Sequence, residues 1–362
     1  MPHGFDTPHC CPSNTCLTDW LLKHNLNQSN EFQSKEARDR RAEHRRKHPT
    51  EIVALKCMDG RLHLPIMTQV PLGIIQPFRN LGGHFKLGWH PFQKDLYEVL
   101  DYSYREGRDC LVLVTYHYSK SDKSLGCKGF GYDTEAAKSA ALKLSETLRR
   151  TSRESVVPLY AVVVGIETDS DTLILHGYDG KALSMLDCLD WSGEELFGAL
   201  EKLYPGMSRR VIRDFLPLLI GNIKHTAELT RKPRGLLDVY HKERVLAIGR
   251  GFDWLHMPNF ALIIGPFSYD LRTPVLRAGE ILLDNLLSGR LPNHDVVLIT
   301  SALYRKNRLG VEAPWAAEKA KDLADECLEI IRRELPELAK HLSVLVGTTD
   351  METRLFNNLS AK

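Results

Sequence analysis

The sequence predicts an α/β fold, a mostly parallel sheet flanked by helices, present twice in the chain: once with chemically equipped strand ends and once without. Three observations predict it. Short apolar runs at 52–55, 110–114, 159–165, 297–299 and 342–347 are too brief for helices and rich in Val, Leu and Ile, as strands buried on both faces are. Helix-compatible stretches around Ala136-Ala137 and Ala316-Ala317 lie between them at matching offsets. Residues able to hold a metal or accept a proton stand at the C-terminal ends of the early runs, where open α/β sheets carry their sites.

The first strand, 52–55, leads into Cys57, Asp59 and Arg61, a Cys-x-Asp-x-Arg spacing. A thiolate is a good zinc ligand, and a carboxylate held by a bidentate guanidinium stays ionised and oriented. The alternative is a buried Cys beside a surface ion pair. The second strand, 110–114, leads into His117 and, after a polar loop, Cys127. Two thiolates and one imidazole make a three-ligand zinc site with a fourth position left for water, whereas structural sites close the tetrahedron with a fourth protein ligand. Taken singly, a His or Cys after a strand is a packing residue. Together, and with Asp59 and Arg61 attached, they read as a metal site.

At these residues the chain resembles the β-class carbonic anhydrases, whose hallmark is Cys-x-Asp-x-Arg followed by His and Cys ligands. Ordinary members have His-x-x-Cys, whereas nine residues separate His117 from Cys127 here. That long loop, with Tyr116, Tyr118, Ser119, Ser121 and Asp122, and the later segment 165–171, resembles the carboxysomal carbonic anhydrases once set apart as an ε class. The resemblance runs from about residue 50 to the C-terminus. It implies a β-carbonic-anhydrase-like sheet, one Zn²⁺ per chain on Cys57, His117 and Cys127, and Asp59 with Arg61 as the catalytic dyad. The implied activity is that of a zinc carbonate dehydratase, a lyase: reversible hydration of CO₂ to bicarbonate and a proton by attack of zinc-bound hydroxide. Arg79, Asn80, Gly82 and Gly83 match the family's Arg-Asn-x-Gly loop beside the metal, although a Gly-Gly pair alone asks only for a tight turn.

Two thiolates cancel the charge of Zn²⁺, so an acceptor that favours hydroxide matters, and Asp59 supplies it. His63, His84, His90 and Tyr116 stand near the motifs as proton-shuttle candidates or packing residues, and Gln69 and Gln76 are both candidates for positioning substrate. Two rival readings use the same residues: a hydrolase of carbonyl sulfide or carbon disulfide, and a non-catalytic carboxysome assembly protein with a vestigial metal site. The intact Asp59-Arg61 pair argues against the second.

The duplication shows as order. The run 159–165 followed by Thr168, Asp169 and Asp171 is echoed by 342–347 followed by Thr349, Asp350 and Glu352, and 112–115 is echoed by 297–300. Buried strands all look alike, but three matches in one order favour an internal repeat. The second copy has lost the chemistry, with Ala302 opposite His117 and the cysteine-free segment 247–252 opposite Cys57. This also resembles the carboxysomal members, in which an active and a degenerate half imitate a two-site dimer. The division expected is 1–50 as tail and basic helix, 51–235 as the zinc-binding catalytic domain, and 236–362 as the degenerate repeat, with 230–235 as linker. Between the halves Ser192 starts one helix as its N-cap, followed by an acidic first turn, and Ser208 precedes another through 211–220.

Apolar residues make up 43% of the 362 and the formal charge is +2, which supports a sizeable core and gives no reason to invoke nucleic acid. No run is long enough to span a membrane, and no signal-peptide pattern opens the chain. Eight dispersed cysteines read as reduced, cytosolic thiols, with Cys110, Cys188 and Cys327 as core positions. Cys57 and Cys127 could form a disulfide if the metal is lost. His9, Cys10, Cys11 and Cys16 match no standard finger and read as a polar tail. The segment 35–48 holds seven Lys/Arg against three Asp/Glu, either a docking arm for an acidic partner or a helix packed on a neighbouring subunit. The carboxysomal proteins carry a longer N-terminal extension. The resemblance implies CO₂ and bicarbonate as substrates, a homodimer or multiple of dimers, association with a carboxysome shell or Rubisco, and a cytoplasmic location inside a carboxysome.

Overall fold

Each apolar run forms a strand in the computed structural model, which describes residues 14–232, 240–255, 257–291, 296–306 and 309–359. The N-terminal half comprises helices α1 (Asn14–Gln33) and α2 (Lys35–Lys47), strand β1 (Glu51–Cys57), α3 (Leu64–Met67), β2 (Ile75–Asn80), α4 (His90–Arg105), β3 (Cys110–Tyr118), α5 (Thr134–Thr151), β4 (Leu159–Glu167), β5 (Thr172–His176), β6 (Ala182–Ser184), α6 (Gly193–Leu203) and α7 (Arg209–Arg231). The remainder comprises β7 (Val245–Gly249), β8 (Ala261–Ile264), α8 (Arg272–Leu287), β9 (Val296–Tyr304), α9 (Glu312–Glu334), α10 (Pro336–Ala339), β10 (Leu342–Asp350) and β11 (Phe356–Asn358).

These elements form two compact units. One holds Asp39–Cys57 and Leu62–Tyr240; the other holds the described part of Met1–Arg38, Met58–Arg61 and His241–Lys362. The sheet of the first unit runs β2-β1-β3-β4-β5-β6, parallel from β2 to β4 and antiparallel beyond. All residues of β1 are buried, the apolar run 52–55 together with Glu51, Lys56 and Cys57 that flank it. Parallel pairing puts the C-terminal ends of β1, β2, β3 and β4 on one edge, with Cys57 level with Asn80 and His117 level with Ile166. α5 lies on β3 and β4, its N-terminus closed by the Asp133 carboxylate accepting from Ala136 N. α4 is pinned by Phe92, whose ring meets Phe78 of β2 edge-on at 5.8 Å. α6 opens with the Ser192–Glu195 capping box and α7 with Ser208, as their sequences predict, and α7 continues through Pro217 to Arg231.

The sheet of the second unit runs β11-β10-β9-β7-β8. Its parallel strands, in the order β8-β7-β9-β10, repeat β2-β1-β3-β4, and in both sheets an antiparallel strand follows on the outer side of the last. α9 lies on β9 and β10 as α5 lies on β3 and β4. The repeat read from the sequence is therefore a repeat of topology. Residues before 51, expected to be a tail and a basic helix, include more than that. Leu17 and Leu21 of α1, one helical turn apart on one face, enter the second unit's core among Val245, Ala247, Trp254, Ile263 and Phe356. Asn25 then donates to Arg354 O and accepts from Phe356 N. The readings of His9, Cys10 and Cys11, of the Cys16 side chain, and of 233–235 lie outside the described residues. Cys110, Cys188 and Cys327 are fully buried, and burial pushes the thiols of Cys188 and Cys327 up to about 11 and about 12. Among the described residues no helix is long and apolar enough to cross a membrane.

Strand register gives the counterparts. β1 pairs Leu55 with Val114, and β7 pairs Ala247 with Ile299, so Cys57 corresponds to Gly249. Gly249 has φ +114°, and a Cβ there would lie 1.9 Å from Ser301 O. We expect Gly249→Ala to destabilise the protein by about 3 kcal/mol or more, read as a lowered urea midpoint with unchanged slope, because left-handed strain and a backbone clash add. Wild-type stability in that variant would show that β7 and β9 can separate.

Candidate metal centre

Cys57 is the last residue of β1, His117 the penultimate residue of β3, and Cys127 caps a one-turn helix, Lys128–Phe130, after the polar loop. All three are buried, and their ligand atoms lie within 4.8 Å of one another. The Cys57 and Cys127 Sγ atoms are 3.9 Å apart. Two sulfurs on one tetrahedral zinc stand about 3.8 Å apart, whereas a disulfide needs about 2.05 Å. Neither thiol is in a disulfide. The donor set and its spacing fit a zinc ion, and the structure brings the three residues together.

Glycines let the surrounding loops approach. Gly82 and Gly83, after β2, have φ +63° and +65°. A Cβ on Gly83 would press on Thr115 O at 3.2 Å and lie 3.7 Å from Cys57 N, and one on Gly129 would strike Gly82 at 2.8 Å. The Arg79–Gly83 match is thus a turn seated on the backbone of Cys57 and against the loop that presents Cys127.

The long His117-to-Cys127 loop has its own anchor. Asp169, after β4, accepts from Ser119 Oγ at 2.7 Å, Lys120 N at 2.9 Å and Ser121 N at 2.8 Å. Thr168 adds N–H and hydroxyl bonds to Tyr118 O. Partial burial opposes ionisation of Asp169, but the bonds from Ser119, Ser121 and Lys120 outweigh it and hold the carboxyl below the usual carboxylate range. The two segments singled out in the sequence, 116–122 and 165–171, clasp each other.

Asp59 and Arg61 form the expected bidentate pair, with Arg61 Nε donating to Oδ1 at 2.9 Å and Nη2 to Oδ2 at 2.6 Å. Both side chains are buried, and Arg61 N also donates to Oδ1. Met58–Arg61 lies along the edge of the second sheet. Ile263 N of β8 donates to Met58 O, and Asn259 N donates to Gly60 O.

Here the structure adds two residues that sequence reasoning missed. His241 Nε2 is 4.0 Å from Asp59 Oδ2, and its Nδ1 lies 3.0 and 2.9 Å from the two Glu243 carboxylate oxygens. Gly60 N donates to Glu243 Oε1, and a Cβ on Gly60 would meet Glu243 Cγ at 2.7 Å. The sequence offered only a His-x-Glu before the apolar run of β7, a weak signal.

The remaining candidates are placed as follows. His63 is buried at the start of α3, and His90 is exposed at the start of α4. His84 is exposed with its ring 4.2 Å from that of Phe130. Tyr116 bonds His176 Nε2 at 2.9 Å on the strand face opposite His117. Gln69 is exposed, and the Gln76 amide hydrogen-bonds Glu51, toward the far end of β1 from Cys57.

Comparison with known proteins gives one family match and two curated relatives. The family described as carboxysome shell carbonic anhydrase, catalytic domain, matches residues 94–221, a segment that includes His117 and Cys127. A carboxysome shell carbonic anhydrase of Prochlorococcus marinus subsp. pastoris (strain MED4) is 25% identical over 232 residues, covering 56% of this chain and 46% of the relative. One from Prochlorococcus marinus (strain MIT 9313) is 24% identical over 203 residues, 50% of this chain and 39% of the relative. The chain thus spans less than half the length of either relative. The resemblance to the carboxysomal carbonic anhydrases read from the strand ends is borne out.

A carboxyl depressed by the fold contributes stability above its unfolded pKa, and that contribution is lost as pH falls through the folded value. Asp169→Asn should therefore melt about 2–4 °C below wild type at pH 7, with the gap closing below about pH 4. A gap constant from pH 7 to pH 3 would mean the carboxylate charge does not anchor the loop.

Proposed function

We propose that this chain, a relative of the carboxysome shell carbonic anhydrases, is a zinc carbonic anhydrase that reversibly hydrates CO₂ to bicarbonate and a proton. The observation that carries this reading is the buried trio Cys57, His117 and Cys127, with its ligand atoms within 4.8 Å of one another. Two thiolates and an imidazole would hold one Zn²⁺ per chain. When bound, zinc supplies Lewis acidity that makes water a nucleophile near neutral pH.

Asp59 and Arg61 are the catalytic dyad in this reading. Ionised Asp59 can only accept, so it takes a hydrogen bond from the attacking water and leaves an oxygen lone pair free for the CO₂ carbon. Arg61 engages both carboxylate oxygens, keeping Asp59 charged and fixed in rotation. Because the thiolates cancel the metal's charge, this orientation by Asp59 counts for more than it would beside three neutral imidazoles. We assign 51–235 as the catalytic domain and 236–362 as the degenerate repeat. Kinship extends the proposal to work within a carboxysome, in association with its shell, as a homodimer or a multiple of dimers.

Two sets of variants test this. Cys57→Ser and His117→Ala should reduce zinc, measured by elemental analysis, from about one per chain to a small fraction. Asp59→Ala should keep its zinc while CO₂ hydration, followed by stopped flow, falls on the order of 10²- to 10⁴-fold. Wild-type protein with full zinc and no hydration would overturn the assignment.

A further inference from the structure

The polar atoms of Asp59, His241 and Glu243 gather within 4.8 Å of one another. The Glu243 side chain is 0% exposed and receives Gly60 N at 3.2 Å and His241 Nδ1 at 2.9 Å. A carboxylate only accepts, so Nδ1 carries the hydrogen, and in the neutral ring Nε2 is a bare lone pair. That lone pair lies 4.0 Å from Asp59 Oδ2, another acceptor. Two acceptors facing each other at this distance are too far apart for a direct hydrogen bond and are reconciled by a donor between them, such as water. The backbone fixes the arrangement: Arg244 N donates to Phe260 O, Asn285 Nδ2 to Glu243 O, and Lys242 N to Asn259 Oδ1. The ring keeps 14% of its surface open to solvent.

We propose that His241 accepts the proton released during hydration, and that Glu243 is the positioning residue that keeps Nε2 turned toward Asp59. This rests on the carbonic anhydrase reading. In CO₂ + H₂O → HCO₃⁻ + H⁺, an O–H bond of the water held by Asp59 breaks as an Nε2–H bond forms, directly or through one bridging water. The imidazolium, flanked by the Asp59 and Glu243 carboxylates with Arg61 behind Asp59, then gives its proton to a buffer base and returns to its starting state. Carbon–oxygen bond formation precedes this transfer, so kcat depends on His241 and kcat/KM for CO₂ does not.

The test combines kinetics with a measurement that needs no turnover. In weak buffer, His241→Ala should lose about tenfold or more in kcat, keep kcat/KM, and recover on addition of imidazole. Nitrogen-15 NMR of histidine-labelled protein should find neutral His241 in the Nδ1–H tautomer. In the isosteric Glu243→Gln, Gly60 N holds the amide oxygen and the NH₂ faces Nδ1, so the tautomer should switch to Nε2–H. Wild-type kcat for His241→Ala in weak buffer, an Nε2–H ring in wild type, or a second zinc per chain lost in Glu243→Gln would each overturn the proposal. A zinc-loaded wild type without hydration would instead overturn the carbonic anhydrase reading, a separate result.

Discussion

Parallel pairing of β1 with its neighbours is the constraint on which the rest depends. Parallel strands must all finish on the same edge of their sheet, so residues 60 and 70 positions beyond Cys57 are brought back to its end of β1. His117 arrives by β3 directly. Cys127 arrives because the loop after β3 is folded back by Asp169, which stands at the same edge through β4. An antiparallel pairing of β1 with β3 would send these groups to opposite ends.

Close approach of backbones is the second requirement, and it explains why small residues crowd this edge. Gly82, Gly83 and Gly129 allow two turns to touch each other and the end of β1, while Gly60 admits the Glu243 side chain to its own N–H. The Cys-x-Asp-x-Arg stretch serves two masters. Its first residue completes a strand of one unit, and Met58–Arg61 is hydrogen-bonded along β8 of the other. The same peptide therefore carries a candidate ligand and, two residues on, a carboxylate oriented by different neighbours.

Much of this was legible in the sequence because burial on both faces leaves an unbroken apolar run, and because parallel sheets concentrate polar chemistry at one end of such runs. Cys57, His117 and Cys127 could be grouped on those grounds, and Asp59 with Arg61 by spacing. Periodicity reports how deeply a residue is buried but not against what. Hence Leu17 and Leu21 gave no sign of which core they enter, and Gln76 looked equivalent to Gln69 until its bond to Glu51 was seen. His241 and Glu243 were hidden for the same reason. Their meaning comes from Asp59 and Gly60, more than 180 residues earlier, and no local pattern marks such a meeting.

The two glycines at the counterpart strand end in the second sheet limit what a mutation can put there. Gly249 corresponds to Cys57, and Gly251, two residues on as Asp59 is from Cys57, would place a Cβ 2.6 Å from Thr349. A cysteine is one base change away from a glycine codon. Here the main chain closes over the space, with carbonyl and side-chain atoms standing where the new atoms would go. A cysteine at either position would need the strands to move before it could be tolerated, so such a variant would be less stable than its parent. Sterics alone therefore keep this strand end from gaining a thiolate by a single change.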